Sequence, residues 1–259
     1  MKVQYENKVM SSALLFIDHY ILKAGEAFDN HGSYFYPTDN LMNGYYTYAS
    51  PFGQFVSDTS IPNATIPSGI YIDDALHYFN MGGQYPNSPL DSFDHSRGQV
   101  YLTSGIAGDN RVSGNYAVKE YSVHLTTETE QTVLFETKYA VKPRVAQNVT
   151  GLNPNQKTVP AIFLKYNGGN NEPFCLGGLD RTWTNIRAIV ISDSAFSLDA
   201  VCNILKDTSH KNLPIIEPEN LPFNALGALT GIAYNYENLA TGEGPYIRDV
   251  YISKINEKV

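Results

Sequence analysis

The segment from Asp94 to Thr137 constrains this chain most. It reads DHSRGQVYLTSGIAGDNRVSGNYAVKEYSVHLTTETEQTVLFET. Its pattern predicts three strands in succession: Gly98 to Leu102, Arg111 to Leu125, and Thr132 to Glu136. A polar Gly-Asp-Asn turn at Gly108 to Asn110 separates the first two, and the charged turn Thr126 to Gln131 the last two. Within the second strand Val112, Tyr116 and Val118 fall on one face. Ser113, Asn115 and Lys119 fall on the other. This is the pattern of a half-exposed antiparallel sheet with no catalytic residues on its ridges. It suits a scaffold or a contact surface before an active site.

A helix is predicted over Tyr5 to Ala24. Val9, Ala13, Phe16, Ile17, Tyr20, Ile21 and Ala24 recur at steps of three and four, and Gly25 stands at the stop position. Its apolar stripe is wide, so the helix is expected to be covered. A further helix is expected near 198–206, capped by Ser197. Strands are expected at Ala161 to Tyr166, at Thr184 to Ser192 as a buried strand, and at Tyr246 to Ile255, with a turn at Gly168 to Asn171. The fold class is therefore α+β and mostly β: an antiparallel sheet or β-sandwich with an N-terminal helix. Residues 1–259 are read as one structural domain.

Within it, Phe28 to Leu90 forms a loop-rich insertion in Tyr, Pro and Gly. Prolines at 37, 51, 62, 67, 86 and 89 punctuate it. Short candidate strands lie at Tyr45 to Ala49 and Gly69 to Ile72. Such a stretch buries little of its own aromatic surface, which suits an arm that clasps a neighbour. Tyr45, Tyr46, Phe52 and Phe55 are the expected anchors of that contact.

Composition narrows the function. Charged residues make up 17%, the formal net charge is −8, and no run of Lys or Arg occurs. A nucleic-acid surface needs clustered positive charge, so direct DNA or RNA binding is not expected. No run approaches a membrane-spanning length. The opening residues MKVQYENKVMSS lack the apolar core of a secretory signal. Nineteen Tyr stand against one Trp. Tyrosine suits strands, and it suits interfaces, because the ring packs while the hydroxyl finds water or a partner.

Chemistry is sparse. GxSxG, GxxxxGK[ST], HExxH and CxxC are all absent. The six histidines are scattered, with His19 beside Asp18 on the helix and His124 on a strand. Both read as packed side chains. Asp73-Asp74, Asp39-Asn40 and Asp109-Asn110 lack the spacing of a calcium loop and suit turns. Cys175 has no base that can be placed beside it, and Cys202 reads as an apolar filler. The sequence therefore leads to a chain that is not an enzyme, with no cofactor and no metal. The aromatic run Tyr34, Phe35, Tyr36, Tyr45, Tyr46 and Tyr48 leaves a carbohydrate- or receptor-binding module as the alternative.

Gly98, Val100, Tyr101 and Leu102, followed by Val112, Gly114 and Tyr116, resemble virion structural proteins of tailed bacteriophages. RAIVISDSAFSLDAVCNILKDTSHKNLPII adds to the resemblance. It implies assembly and carries over no catalytic residue. It implies a virion location and synthesis in the host cytoplasm; it leaves neck, tail and capsid surface open, with the neck or head–tail joint and the tail as the leading expectation. Copies of the chain in a ring and other virion proteins are the partners it implies.

Overall fold

The computed structural model describes residues 5–38, 44–80, 83–106, 111–140 (backbone alone for 136–140), 158–173, 177–178, 180–224 and 229–253. The fold is mostly β, with a large antiparallel sheet and few helices.

Seven strands form the large sheet: β1 Phe28–Pro37, β2 Tyr46–Ala49, β3 Gly69–Ile72, β4 Ala75–Tyr78, β5 Leu90–Asp94, β6 Gln99–Leu102 and β7 Val112–Lys119. Their order is β4-β3-β7-β1-β2-β6-β5, antiparallel throughout. β6 and β7 are therefore not a hairpin, although they follow one another in the chain. β1 and β2 lie between them. The stretch from Phe28 to Leu90 supplies β1 to β4 and the first residue of β5. Just past β4, Asn80 N–H donates to the Leu90 carbonyl at 3.3 Å. The two ends of the sheet thus meet, and the strands curl around one core.

That core is aromatic. Phe35, Tyr48, Phe55, Ile70, Ile72, Leu90, Val100, Leu102, Val112 and Tyr116 are all buried in it. Tyr116 sits at the centre, stacked on Phe55 at 4.1 Å. Its hydroxyl bonds Ser33 Oγ at 2.6 Å and also Ser50 Oγ. Burial pushes this phenol up, with the two serine contacts opposing. Gly98 closes the β5–β6 turn at φ 66°. A Cβ there would lie 1.8 Å from the Phe52 carbonyl oxygen, so only glycine fits.

After β7 the chain bends at Glu120-Tyr121 into β8 Ser122–Leu125, which joins a separate three-stranded sheet. Arg111 to Leu125 is thus two strands in two sheets. β9 Ala161–Pro173 pairs in parallel with β8 and antiparallel with β10 Asp180–Ile191. The strand expected at Thr132 to Glu136 is helix: α2 spans Glu130–Ala140. Thr129 precedes it, with Oγ1 accepting from Thr132 N–H at 3.3 Å, and Glu130 lies in the first turn.

The N-terminal helix α1 spans Tyr5–Gly25, and the next residue, Glu26, takes φ 46°. It is covered on two sides. Ile21 and Leu22 meet Ile162 and Leu164 of β9 and Val201 and Leu205 of α3, Ala195–Lys206. Val9, Ala13, Leu15 and Phe16 meet Leu213, Ile216, Tyr234 and Tyr236 of the C-terminal segment. That segment holds a 3-10 turn at Pro218–Asn220 and the short α4, Tyr236–Leu239. No strand forms over residues 246–253, where a single bridge joins Asn212 to Tyr246. No helix among the described residues is long and apolar enough to cross a membrane.

The cap of α3 is Ser194, three residues before the expected Ser197. Ser194 Oγ accepts from Ser197 N–H at 3.1 Å. Ser194→Ala is expected to cost about 1 kcal/mol in chemical denaturation, the usual value of a serine N-cap. Ser197→Ala, which leaves that acceptor in place, is expected to cost less. The reverse ranking would show that Ser197 caps the helix.

Candidate functional site

The first place to look for chemistry is a buried polar cluster where α1, the 57–60 loop and the C-terminal segment meet. Asp58 is wholly buried. Its Oδ1 accepts from Ser60 N–H at 2.9 Å, Ser60 Oγ at 2.7 Å and Tyr236 N–H at 3.0 Å. Its Oδ2 lies 2.7 Å from His19 Nδ1. Burial alone would raise this carboxyl. The bonds from His19, Ser60 and Tyr236 outweigh it and hold Asp58 below the ordinary carboxylate value. The His19 ring stacks on Tyr236 at 4.4 Å. Beside it, Lys119 Nζ donates to Asp18 Oδ2 at 2.5 Å, and the Tyr121 hydroxyl donates to the Asp18 carbonyl at 2.7 Å.

Ser, His and Asp are all present, but not as a relay. A relay needs the carboxylate on one ring nitrogen and the nucleophile on the other. Here Ser60 Oγ stands 3.4 Å from Nδ1, the nitrogen that Asp58 already holds. The cluster's evident work is mechanical. It clamps three distant parts of the chain onto α1. His19 was legible as a packed side chain, but its partner Asp58 lies 39 residues away and nothing in its local sequence marks it.

The other candidates lie apart. His124 sits half-buried on β8 with its ring 5.3 Å from Phe163, and Cys202 is half-buried on α3. Asp73 and Asp74 are the two loop residues of the β3–β4 hairpin, at φ 48° and 63°. Two successive positive φ values are what a tight two-residue hairpin needs, and Asp tolerates them. Asp39-Asn40, Asp109-Asn110 and Cys175 lie outside the described residues. Among the described residues, no group of three or more His, Cys, Asp or Glu is placed to hold a metal ion.

The four expected contact anchors divide. Phe55 is 1% exposed and belongs to the core, and Phe52 packs against that core and stacks on His31 at 4.2 Å. Tyr45 is half-buried. Tyr46 is 44% exposed, with its ring over Gly105.

Two larger surfaces stand out instead. The first is the β9–β10 hairpin. Its base, Ala161 to Leu164, is buried and flanked by β8. From Tyr166 to Pro173 β9 pairs, among the described residues, with β10 alone, and most of its residues are exposed. That free length is about 26 Å at 3.3 Å per residue. A β-bulge, with Gly168 at φ 82°, marks where the ribbon leaves its support. Trp183 lies on it, with Nε1 donating to Glu172 Oε2 at 3.1 Å and the Arg181 and Arg248 guanidiniums 5.6 and 4.9 Å from its ring. β10 was expected as a buried strand, but most of it is exposed or half-exposed.

The second surface is the outer side of the large sheet. Leu76, Tyr71, Ser113 and Tyr34 are in register across β4, β3, β7 and β1. They point away from the core that holds their neighbours Ile70, Ile72, Val112 and Phe35. The row crosses four strands, about 14 Å. Tyr36 and Tyr78 extend it, and Tyr34, Tyr36 and Tyr78 are each more than 40% exposed. The Arg111 guanidinium lies 5.5 Å from the Tyr34 ring. Further along β7, Ala117 on the same side is buried beneath α1 and its neighbours. One face of the sheet is thus covered at one end and open at the other.

Comparison with protein-family models, with curated proteins and with solved structures finds no match to this chain.

Proposed function

We propose that this chain is a non-enzymatic structural subunit of a tailed phage particle, at the neck or along the tail, that assembles with copies of itself. The observation that carries the assembly reading is the β9–β10 ribbon. A two-stranded hairpin is marginally stable on its own in water. This one extends well past the strand that supports its base, with most of its residues exposed. A fold keeps such an arm when a neighbour completes it. The phage setting rests on the resemblance in Gly98 to Leu102 and Val112 to Tyr116, which form β6, the turn before it and part of β7 in the large sheet. These strands form the rigid body from which the arm and the tyrosine face are presented.

Light scattering of the purified chain tests the assembly reading. A mass that is a fixed multiple of 28.7 kDa, reached as concentration rises, is the expected result. A chain that stays at 28.7 kDa throughout would overturn it.

A further inference from the structure

We propose that His95 is an acid-operated latch: a proton on its ring displaces Ile232 and frees residues 231–233 from the core of the large sheet, while the sheet itself stays folded. His95 lies in the turn from β5 to β6, between half-buried Asp94 and exposed Ser96, yet it is itself buried. Neither of its ring nitrogens makes a well-formed hydrogen bond among the described residues. A buried imidazole without an acceptor is tolerated only while neutral, because a cation needs an acceptor or water. Once charged, the ring must reach water, and the weakest of its covers decides what moves.

Those covers differ in strength. Phe55 and Phe93, whose rings flank His95, belong to the core. The backbone around the turn is tied down. Phe55 N–H donates to the His95 carbonyl at 2.8 Å, Gln54 N–H to the Ser96 carbonyl at 3.2 Å, and Ser50 N–H to the Gly98 carbonyl at 2.8 Å. The remaining cover is Ile232. Its backbone reaches the ring, and its half-buried side chain packs on the same core. Residues 231–233 form neither helix nor strand, and no described residue accepts a backbone hydrogen bond from them. They are held at their ends, where Thr230 N–H donates to the Pro222 carbonyl and Tyr234 N–H to the Ser57 carbonyl, each at 2.9 Å. Half-exposed contacts and few backbone bonds place such a stretch among the first to open.

The charges around the ring do not hold a cation in place. Lys119 faces it from β7 and repels a second positive charge, and its ammonium is already taken by Asp18. Asp94 favours the cation, but Arg97 shares that carboxylate at 3.6 Å. Residues 52–56 and 231–233 carry no charged side chain. The release is bounded on one side by the Asp58 clamp, to which Tyr236 N–H donates at 3.0 Å. Asp58 keeps its charge to below 3.8, so the latch opens while the clamp still holds.

Nuclear magnetic resonance of the full chain tests the proposal, with the His95 imidazole, the isoleucine methyls and the β1 and β7 amides followed into acid. The Ile232 methyl is expected to leave its native position in step with protonation of the His95 ring, while the β1 and β7 signals stay native. In His95→Phe that methyl should stay in place over the same range. Ile232→Ala strips the cover, so the ring should titrate at a higher pH, nearer the ordinary 6.5. Ile232→Val should give a smaller rise in the same direction, in case the alanine variant does not fold. Ser194→Ala, which weakens the chain elsewhere, should leave the ring's titration unchanged. A ring that takes up its proton with Ile232 still in place overturns the proposal. So does the same methyl movement in His95→Phe, or a titration that neither Ile232 variant moves. Loss of the β1 and β7 signals together with that of Ile232 also overturns it, since the whole chain would then be unfolding.

Discussion

Asp58→Ala is expected to lower the stability of the folded chain by about 4 kcal/mol, one of the largest effects of any single polar substitution here. Asp58 is the hub of the clamp on α1. Its removal leaves the Ser60 and Tyr236 N–H groups, the Ser60 hydroxyl and His19 Nδ1 without their acceptor. Asp58 and His19 are buried and Ser60 is half-buried, and a donor orphaned away from water costs about 1 to 3 kcal/mol. The melting temperature should fall by roughly 10 °C in a chain of this size. Asp58→Asn keeps an oxygen for the Ser60 and Tyr236 donors but loses the charge and the acceptor that faces His19 Nδ1, so it should cost less than Asp58→Ala. Denaturant unfolding of both variants checks this. Equal, small losses would mean that water enters the site and that the clamp carries little of the stability.

Stability is also expected to fall by about 3 kcal/mol as the pH drops from 6.5 toward 4, with His95 as the cause. His95 is buried between Phe55 and Phe93, with ring centroids 6.5 and 5.9 Å away. Neither ring nitrogen makes a well-formed hydrogen bond among the described residues. Burial holds the imidazole at about 4, against an ordinary 6.5. The Lys119 ammonium adds to this, while Asp94 and the Ile232 backbone offset only part of it. In the unfolded chain His95 takes up a proton below 6.5, and in the folded chain it does so only near 4. The stabilisation is therefore complete above pH 6.5 and lost progressively down to 4. Asp58 acts lower on the scale. Its folded value is depressed, so its contribution is present above the ordinary 3.8 and lost as pH falls below that. His95→Phe should flatten the curve between pH 4 and 6.5 without removing the fall below it. An unchanged slope in that variant would show that His95 does not carry the acid sensitivity.

What the sequence showed depended on how local each signal was. α1 was legible because seven apolar residues share one period, and β6 because a short apolar run follows a glycine. β1 was not legible. Its residues FDNHGSYFYP give no clear apolar alternation, and the inward Ser33 finds its side-chain partner in the Tyr116 hydroxyl, 83 residues away. α2 was missed because Thr-Val-Leu-Phe-Glu imitates an alternating strand. The deciding features were the Thr129 cap and the acidic first turn. The pairing of β6 with β2 instead of β7 is a property of the sheet as a whole, and no turn signal encodes it. The tyrosine face had the same difficulty. Tyr34 and Tyr71 are far apart in the chain and become neighbours only through the register that each shares with Ser113. A count of 19 tyrosines suggested a contact surface but could not say which of them form it. Phe55, a plausible anchor by composition, lies instead in the core.

The most direct test of the structural role is mass spectrometry of purified phage particles, with peptides of this chain quantified against those of the major capsid and tail proteins. The account predicts that the chain stays with intact particles through gradient purification, at a fixed ring-sized copy number per particle. Its absence from intact particles, or a trace amount that varies between preparations, would contradict the account.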